Sequence, residues 1–138
     1  DNILNLDDDD NIEIEIKDYI EGPEEEVIEE EEIPYVFVEQ KPTFMGGDPQ
    51  KLFPRWVAER LVYPEIAKEN GVQGRVMISF TIKTDGSVAN VKVTRSLDPA
   101  LDKEAVRVVS SSPKWTPGKQ RDRAVNVTYN LPVIFQLR

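Results

Sequence analysis

A chain of 138 residues has room for one modest domain and a tail. It has no cysteine and no histidine, which excludes disulfides, thiolate metal sites, cysteine nucleophiles and a histidine base for a serine triad. The net charge of −9 joins two unlike parts, since residues 1–39 carry 17 acidic and one basic side chain and residues 40–138 carry nine and 16, the latter scattered singly with no basic run that would organise nucleic-acid phosphates.

Residues 1–37, with "DDDD" and "EEEVIEEEE", read as an acidic linker, largely disordered, because like charges repel and few apolar groups offset chain entropy. Within it Ile12, Ile14 and Ile16 alternate with acids, and "PYVFVEQ" from Pro34 alternates as well, so each can lie along a sheet edge. Asp7–Asp10 lacks the glycine and terminal glutamate of a calcium loop. The acidic opening is the wrong charge for a signal peptide, and no apolar run approaches the roughly 20 residues that span a bilayer.

Order is expected from about Glu39, and a domain over 38–138. Asp48 caps a helix over about 49–61, with Pro49 at its first position and Leu52, Trp56 and Val57 or Leu61 as its apolar stripe. Tyr63-Pro64 breaks it, and Pro64 opens a short helix closed at Asn70-Gly71. Then the period changes to two: Val76, Ile78, Phe80 and Ile82 share one strand face, Asp85-Gly86 turns the chain, and Val91 and Val93 resume the alternation. Val88 is out of step by one, the mark of a bulge. Asp98-Pro99 starts another helix, with Leu101, Ala105, Val108 and Val109 as its buried stripe.

From Val125 to Leu137 the alternation runs for a further thirteen residues, about 40 Å of strand. Pro132 in its middle argues for an edge strand or a bulge, because proline donates no ladder hydrogen bond. The predicted fold is a two-layer α+β domain, with helices on one face of a three-stranded antiparallel sheet. No convergent acids, phosphate loop or dinucleotide fingerprint is present, so the reading is of a binding protein without cofactor or metal, not an enzyme. Tyr63 and Trp115, beside prolines at element ends, either plug the core or frame a recognition surface. The long last strand offers a free edge to which an extended peptide can add through main-chain bonds.

Residues 63–138 resemble the TonB C-terminal domain family in Tyr63-Pro64, Gln73-Gly74-Arg75-Val76, Asp85-Gly86, Leu97-Asp98 and Trp115-Thr116-Pro117-Gly118. "VEQKPTFMGGDPQKLFPRWVAERLVYP" and the closing "YNLPVIFQL" resemble Bacteroidetes-type members, which extends the likeness to 38–138. The resemblance implies a periplasmic domain anchored in the inner membrane by an N-terminal helix, coupled to proton-driven motor proteins. It further implies capture of the TonB-box segment of outer-membrane transporters by strand addition, coupling inner-membrane energy to nutrient uptake. By position, the partner-binding residues are Arg123, Ala124, Val125, Asn126, Val127, Thr128, Tyr129, Asn130 and Leu131, with Tyr63 and Pro64 nearby. The same edge can pair with a second copy to give a homodimer. The alternative is a peptide- or cell-wall-binding module of a periplasmic sensor or scaffold that transmits no force, which Tyr63, Trp115 and Tyr129 clustered on one open face would favour.

Overall fold

The computed structural model describes residues 31–138, and the alternating isoleucines and aspartates of the acidic N-terminal segment lie outside them. In chain order the elements are β1 (Glu32–Pro34), a 3-10 turn (Tyr35–Phe37), α1 (Pro49–Arg60), α2 (Glu65–Glu69), β2 (Gly74–Ile82), β3 (Val88–Arg95), α3 (Pro99–Ser110), β4 (Gly118–Gln120) and β5 (Arg123–Phe135). Contacts group Glu31–Arg138 into one compact unit, so Glu32–Phe37, which the sequence places in the linker, pack with the domain.

Helix starts follow local chemistry. The Asp48 carboxylate accepts from the Gln50 N–H at 2.9 Å, and Asp98 accepts from Ala100 and Leu101 at 3.0 and 3.3 Å, each just ahead of a proline that has no N–H to satisfy. Along α3 the buried residues are Leu101, Ala105, Val108 and Val109, the predicted stripe. In α1 the buried face is Pro49, Phe53, Trp56 and Val57, and Phe53 rather than Leu52 points into the core. Pro54 sits inside α1, and its missing N–H falls in the second turn.

The sheet is the correction to the sequence reading: it is mixed and has five strands instead of three antiparallel ones. The order along the sheet is β1, β5, β2, β3, with β4 also paired to β5. β2 and β5 are antiparallel over nine residues, from Gly74 opposite Phe135 to Ile82 opposite Val127. β1 runs parallel to β5 with Glu32, Ile33 and Pro34 opposite Asn126, Val127 and Thr128. β4 turns into β5 through Arg121 and Asp122, both at positive φ (53° and 63°), a two-residue hairpin turn built without glycine. The three-residue strands were illegible because an alternation that short carries no signal.

Val76, Ile78, Phe80 and Ile82 of β2 and Val127, Tyr129, Leu131, Val133 and Phe135 of β5 are buried on one face beneath the helices. The bulge implied by Val88 is real but lies further along: the register advances by one extra residue around Asn90, at φ 54°, which returns Val88, Val91 and Val93 to the core side. Glu104 of α3 fastens the segment between α1 and α2. Its carboxylate accepts from the Val62 N–H at 2.7 Å and from Arg107 Nε at 2.8 Å, while Arg107 Nη2 also donates to the Arg60 carbonyl at 3.3 Å. Among the described residues no helix is long and apolar enough to cross a membrane.

At the β2–β3 turn, Gly86 (φ 89°) accepts from the Trp115 N–H at 2.8 Å, and a Cβ there would fall 2.0 Å from the Trp115 carbonyl oxygen. Gly86→Ala is therefore expected to destabilise the domain by about 2–4 kcal/mol in a denaturant titration, against an ordinary surface substitution's few tenths. A near-neutral result would mean that the turn and the Trp115 loop are not packed as described.

Candidate functional site

Every residue from Arg123 to Leu131 lies on β5, and the strand splits them by side-chain direction. Val127, Tyr129 and Leu131 point into the core, whereas Asn130 and Ala124 are exposed and Thr128 is half-buried. What this stretch offers a partner is thus chiefly its backbone and the side chains on the face away from the helices.

The backbone is taken up in sections. β4 pairs with Arg123–Val125, β1 with Asn126–Thr128, and β2 with Val127–Phe135. Val127 and Thr128 consequently have strand neighbours on both sides, Ile82 and Thr81 on β2 and Ile33 and Pro34 on β1. From Tyr129 to Phe135 the only strand paired with β5 among the described residues is β2, so the opposite margin is unpaired there. Pro132 lies in that one-sided stretch, opposite Met77, as the edge-strand inference requires.

Asn126 is a buried polar residue whose Oδ1 accepts from the Thr84 N–H at 3.0 Å, tying the β2–β3 turn to β5. On the open face, Glu32 Oε2 accepts from Thr81 Oγ1 at 3.3 Å, above a shallow depression that Thr128 and Lys92 also line. Tyr35 meets Tyr129 edge-on, with ring centroids 4.9 Å apart. Burial, then the nearby Tyr35 and Asp48, pushes the Tyr129 hydroxyl up to about 12, so it stays neutral across physiological pH. Burial and Asp48 raise Tyr35 in the same direction. Lys119, Arg121 and Arg123 are all exposed around the β4–β5 turn.

Tyr63 and Pro64 are not brought to this stretch. The Tyr63 ring packs edge-on against Phe135 at 5.5 Å and its hydroxyl donates to the Val72 carbonyl, at the opposite end of β5. Beside that end a groove of about 420 Å³ runs along Gln73–Arg75 and Ile134–Gln136, and Ile134 is exposed. Trp115 is buried among Phe44, Phe53, Phe80 and Tyr129, and its Nε1 donates to Ser112 Oγ at 3.0 Å. Trp115 and Tyr129 are thus core rings, Tyr63 is half-buried against Phe135 at the other end, and the three form no open aromatic face. The residues that sequence reasoning missed are Glu32, Ile33 and Tyr35, and their only signal was an alternation that reads from Pro34 onward.

Residues 59–137 match the family described as Gram-negative bacterial TonB protein C-terminal, more than half of the chain. The chain belongs to the TonB C-terminal family. Protein TonB of Helicobacter pylori strain J99 is 32% identical over 77 residues, covering 55% of this chain and 26% of that protein. Protein TonB of Pseudomonas aeruginosa is 32% identical over 56 residues, or 41% of this chain and 16% of that one. The chain thus spans about a quarter or less of the length of these curated relatives. Two solution structures of the H. pylori TonB C-terminal domain superpose with TM-scores of 0.51 and 0.50 at 25% and 23% identity. They cover 68% and 67% of this chain and 87% and 98% of theirs. TonB C-terminal domains are binding modules without catalytic machinery, and among the described residues no group of three or more acidic side chains could hold a metal. The family match takes in α2, β2, β3, α3, β4 and β5; β1 and most of α1 precede it.

The raised Tyr129 hydroxyl has a stability consequence with a definite sign. The folded state favours the neutral form, so its contribution is complete below about pH 10 and is lost as pH climbs to about 12. Between those values the wild type should lose about 1–2 kcal/mol relative to a Tyr129→Phe variant, measured by urea unfolding at pH 9 and pH 12. Parallel pH curves for the two proteins would show that the ring is not buried as described.

Proposed function

We propose that this domain captures the box segment of an outer-membrane transporter by adding it as a strand along β5, and carries tension from the inner membrane into that segment. The observation behind this reading is the division of β5: one margin is fastened to β2 over Val127–Phe135, while the other faces only the three-residue β1 at Asn126–Thr128 and no strand of the described residues beyond it. Membership of the TonB C-terminal family supports it.

Each added backbone bond contributes about 1 kcal/mol net, so five or six give a reversible complex once the ordering of the peptide is subtracted. Load along paired strands acts on several such bonds together, which lets a complex of moderate affinity bear force. On the domain side the load passes into the β2–β5 ladder and the helices packed over it.

In the same reading the acidic residues ahead of the domain serve as a tether in the periplasm, an N-terminal helix outside this chain anchors it in the inner membrane, and proton-driven motor proteins supply the pull. Residues 38–58, upstream of the family match, represent the Bacteroidetes-type extension. A homodimer through the same margin is the competing use of the edge. A cell-wall role has no support from the rings, which are buried in the core or packed on Phe135.

The test is an NMR titration of the domain with a synthetic peptide from the N-terminal segment of an outer-membrane transporter of the same organism. Shifts concentrated in Ala124–Leu131 and the adjoining margin are expected; saturable binding confined to α1 and α3 would contradict strand addition. Proline at Val127 is an unsuitable probe, because that residue is fully buried and paired on both sides.

A further inference from the structure

We infer that β1 is a resident occupant of the peptide edge: Glu32–Pro34 cover the middle of the binding stretch, and a partner segment binds β5 by displacing them. This rests on the strand-addition reading above and adds to it a competitor supplied by the chain itself.

Three observations carry the inference. First, β1 lies on the margin of β5 that faces away from β2, opposite Asn126–Thr128, where an added strand would have to pair. Second, it is lightly held. It has three residues in parallel pairing, Pro34 has no N–H to donate, Glu32 and Pro34 are exposed, and Ile33 is only half-buried. None of the three belongs to the buried core, whereas β2 and β5 each place at least four side chains in it. Among the described residues its remaining attachments are the Glu32–Thr81 hydrogen bond and, through the turn that follows, the Tyr35 ring against Tyr129. Third, the strand margin beyond it, from Tyr129 to Phe135, has no strand partner among the described residues. A peptide can seat there and meets β1 on reaching Thr128.

Release of β1 is therefore a local opening that leaves the β2–β5 ladder and the helix layer in place. Val38 is buried and Gln40 and Thr43 are bridged to Lys119 and Thr116, so the chain is secured again just after the 3-10 turn. The side chains of Val36 and Phe37 in that turn are 69% and 74% exposed, and Lys41 Nζ reaches the Val36 carbonyl only at 3.5 Å. While β1 is docked, the apparent affinity for a competing strand is reduced by the fraction of molecules with the edge open. Because the acidic segment joins β1 directly, a pull through it reaches β1 before any other element of the domain. Tension and exposure of the edge are thereby linked.

Calorimetric titration with the transporter peptide, on three forms of the full chain, tests this. A release variant carries Glu32→Gly, Ile33→Gly and Pro34→Gly; a clamped variant carries Pro34→Cys and Thr128→Cys, the only thiols in the chain. The release variant is expected to bind about tenfold more tightly than wild type. The oxidised clamp should bind at least tenfold more weakly, with wild-type affinity restored by reductant. Equal affinity in all three forms would overturn the displacement mechanism and leave strand addition standing. Binding by none of them would overturn both. Should the release variant fail to fold, the clamp compared before and after reduction decides the question alone, since it keeps β1 in place in one state and frees it in the other.

Discussion

The nine-residue antiparallel ladder between β2 and β5 is the constraint on which the rest of the domain hangs. Its register sets Val127, Tyr129, Leu131, Val133 and Phe135 alongside Val76, Ile78, Phe80 and Ile82 on a single apolar face. A slip of one residue would turn that face to solvent, so burial and register enforce one another. α1 and α3 cover it with Phe53, Trp56, Val57, Leu101, Ala105, Val108 and Val109, and Phe44 and Trp115 complete an aromatic cluster between the layers. Large side chains of this kind contribute about 1.5–3 kcal/mol each on burial, far more than any single hydrogen bond at the margin.

That division of labour makes one strand both scaffold and recognition element. Its core-facing side chains cannot be varied without loss of the fold, and its ladder to β2 cannot be opened without losing the sheet. The opposite margin is left for weaker pairing, and the molecule supplies a short one itself, β1 at Asn126–Thr128. β4, the other three-residue partner of β5, is bound in by more than its strand contacts: Lys119 exchanges backbone bonds with Gln40 at 2.9 and 3.0 Å, the Glu39 N–H donates to Gln120 Oε1 at 2.9 Å, and the Glu39 carboxylate accepts from the Arg121 N–H at 2.8 Å. β1 has no comparable reinforcement among the described contacts. Any exchange with a partner strand is consequently directed at β1.

How much of this the sequence reveals depends on the range of the interaction that encodes it. Capping aspartates, prolines at first helical positions and the period of the apolar residues are local, and they place α1, α2, α3, β2, β3 and β5 nearly to the residue. Even the off-beat Val88 reported a real bulge, with only its location at Asn90 hidden. β4 escaped because Arg121 and Asp122 make a left-handed turn that is usually signalled by asparagine and glycine. β1 escaped because its partner is distant in sequence and its alternation is three residues long. The candidate strand itself was legible from its length and from Pro132. The cover over its middle was not, nor was the placing of Tyr63 against Phe135 at the far end, because both are set by tertiary packing.

The two margins of β5 differ in how they open, and native-state amide hydrogen exchange in increasing urea measures that directly. Amides in the β2–β5 ladder, such as Ile78, Phe80 and Leu131, should exchange only with global unfolding and with its full urea dependence. The β1 amides, and those of Asn126–Thr128 that bond to them, should exchange through a smaller opening with little urea dependence. Finding both sets released together, at one free energy and one slope, would mean that β1 is an inseparable part of the fold and that this margin of β5 is not open to a partner.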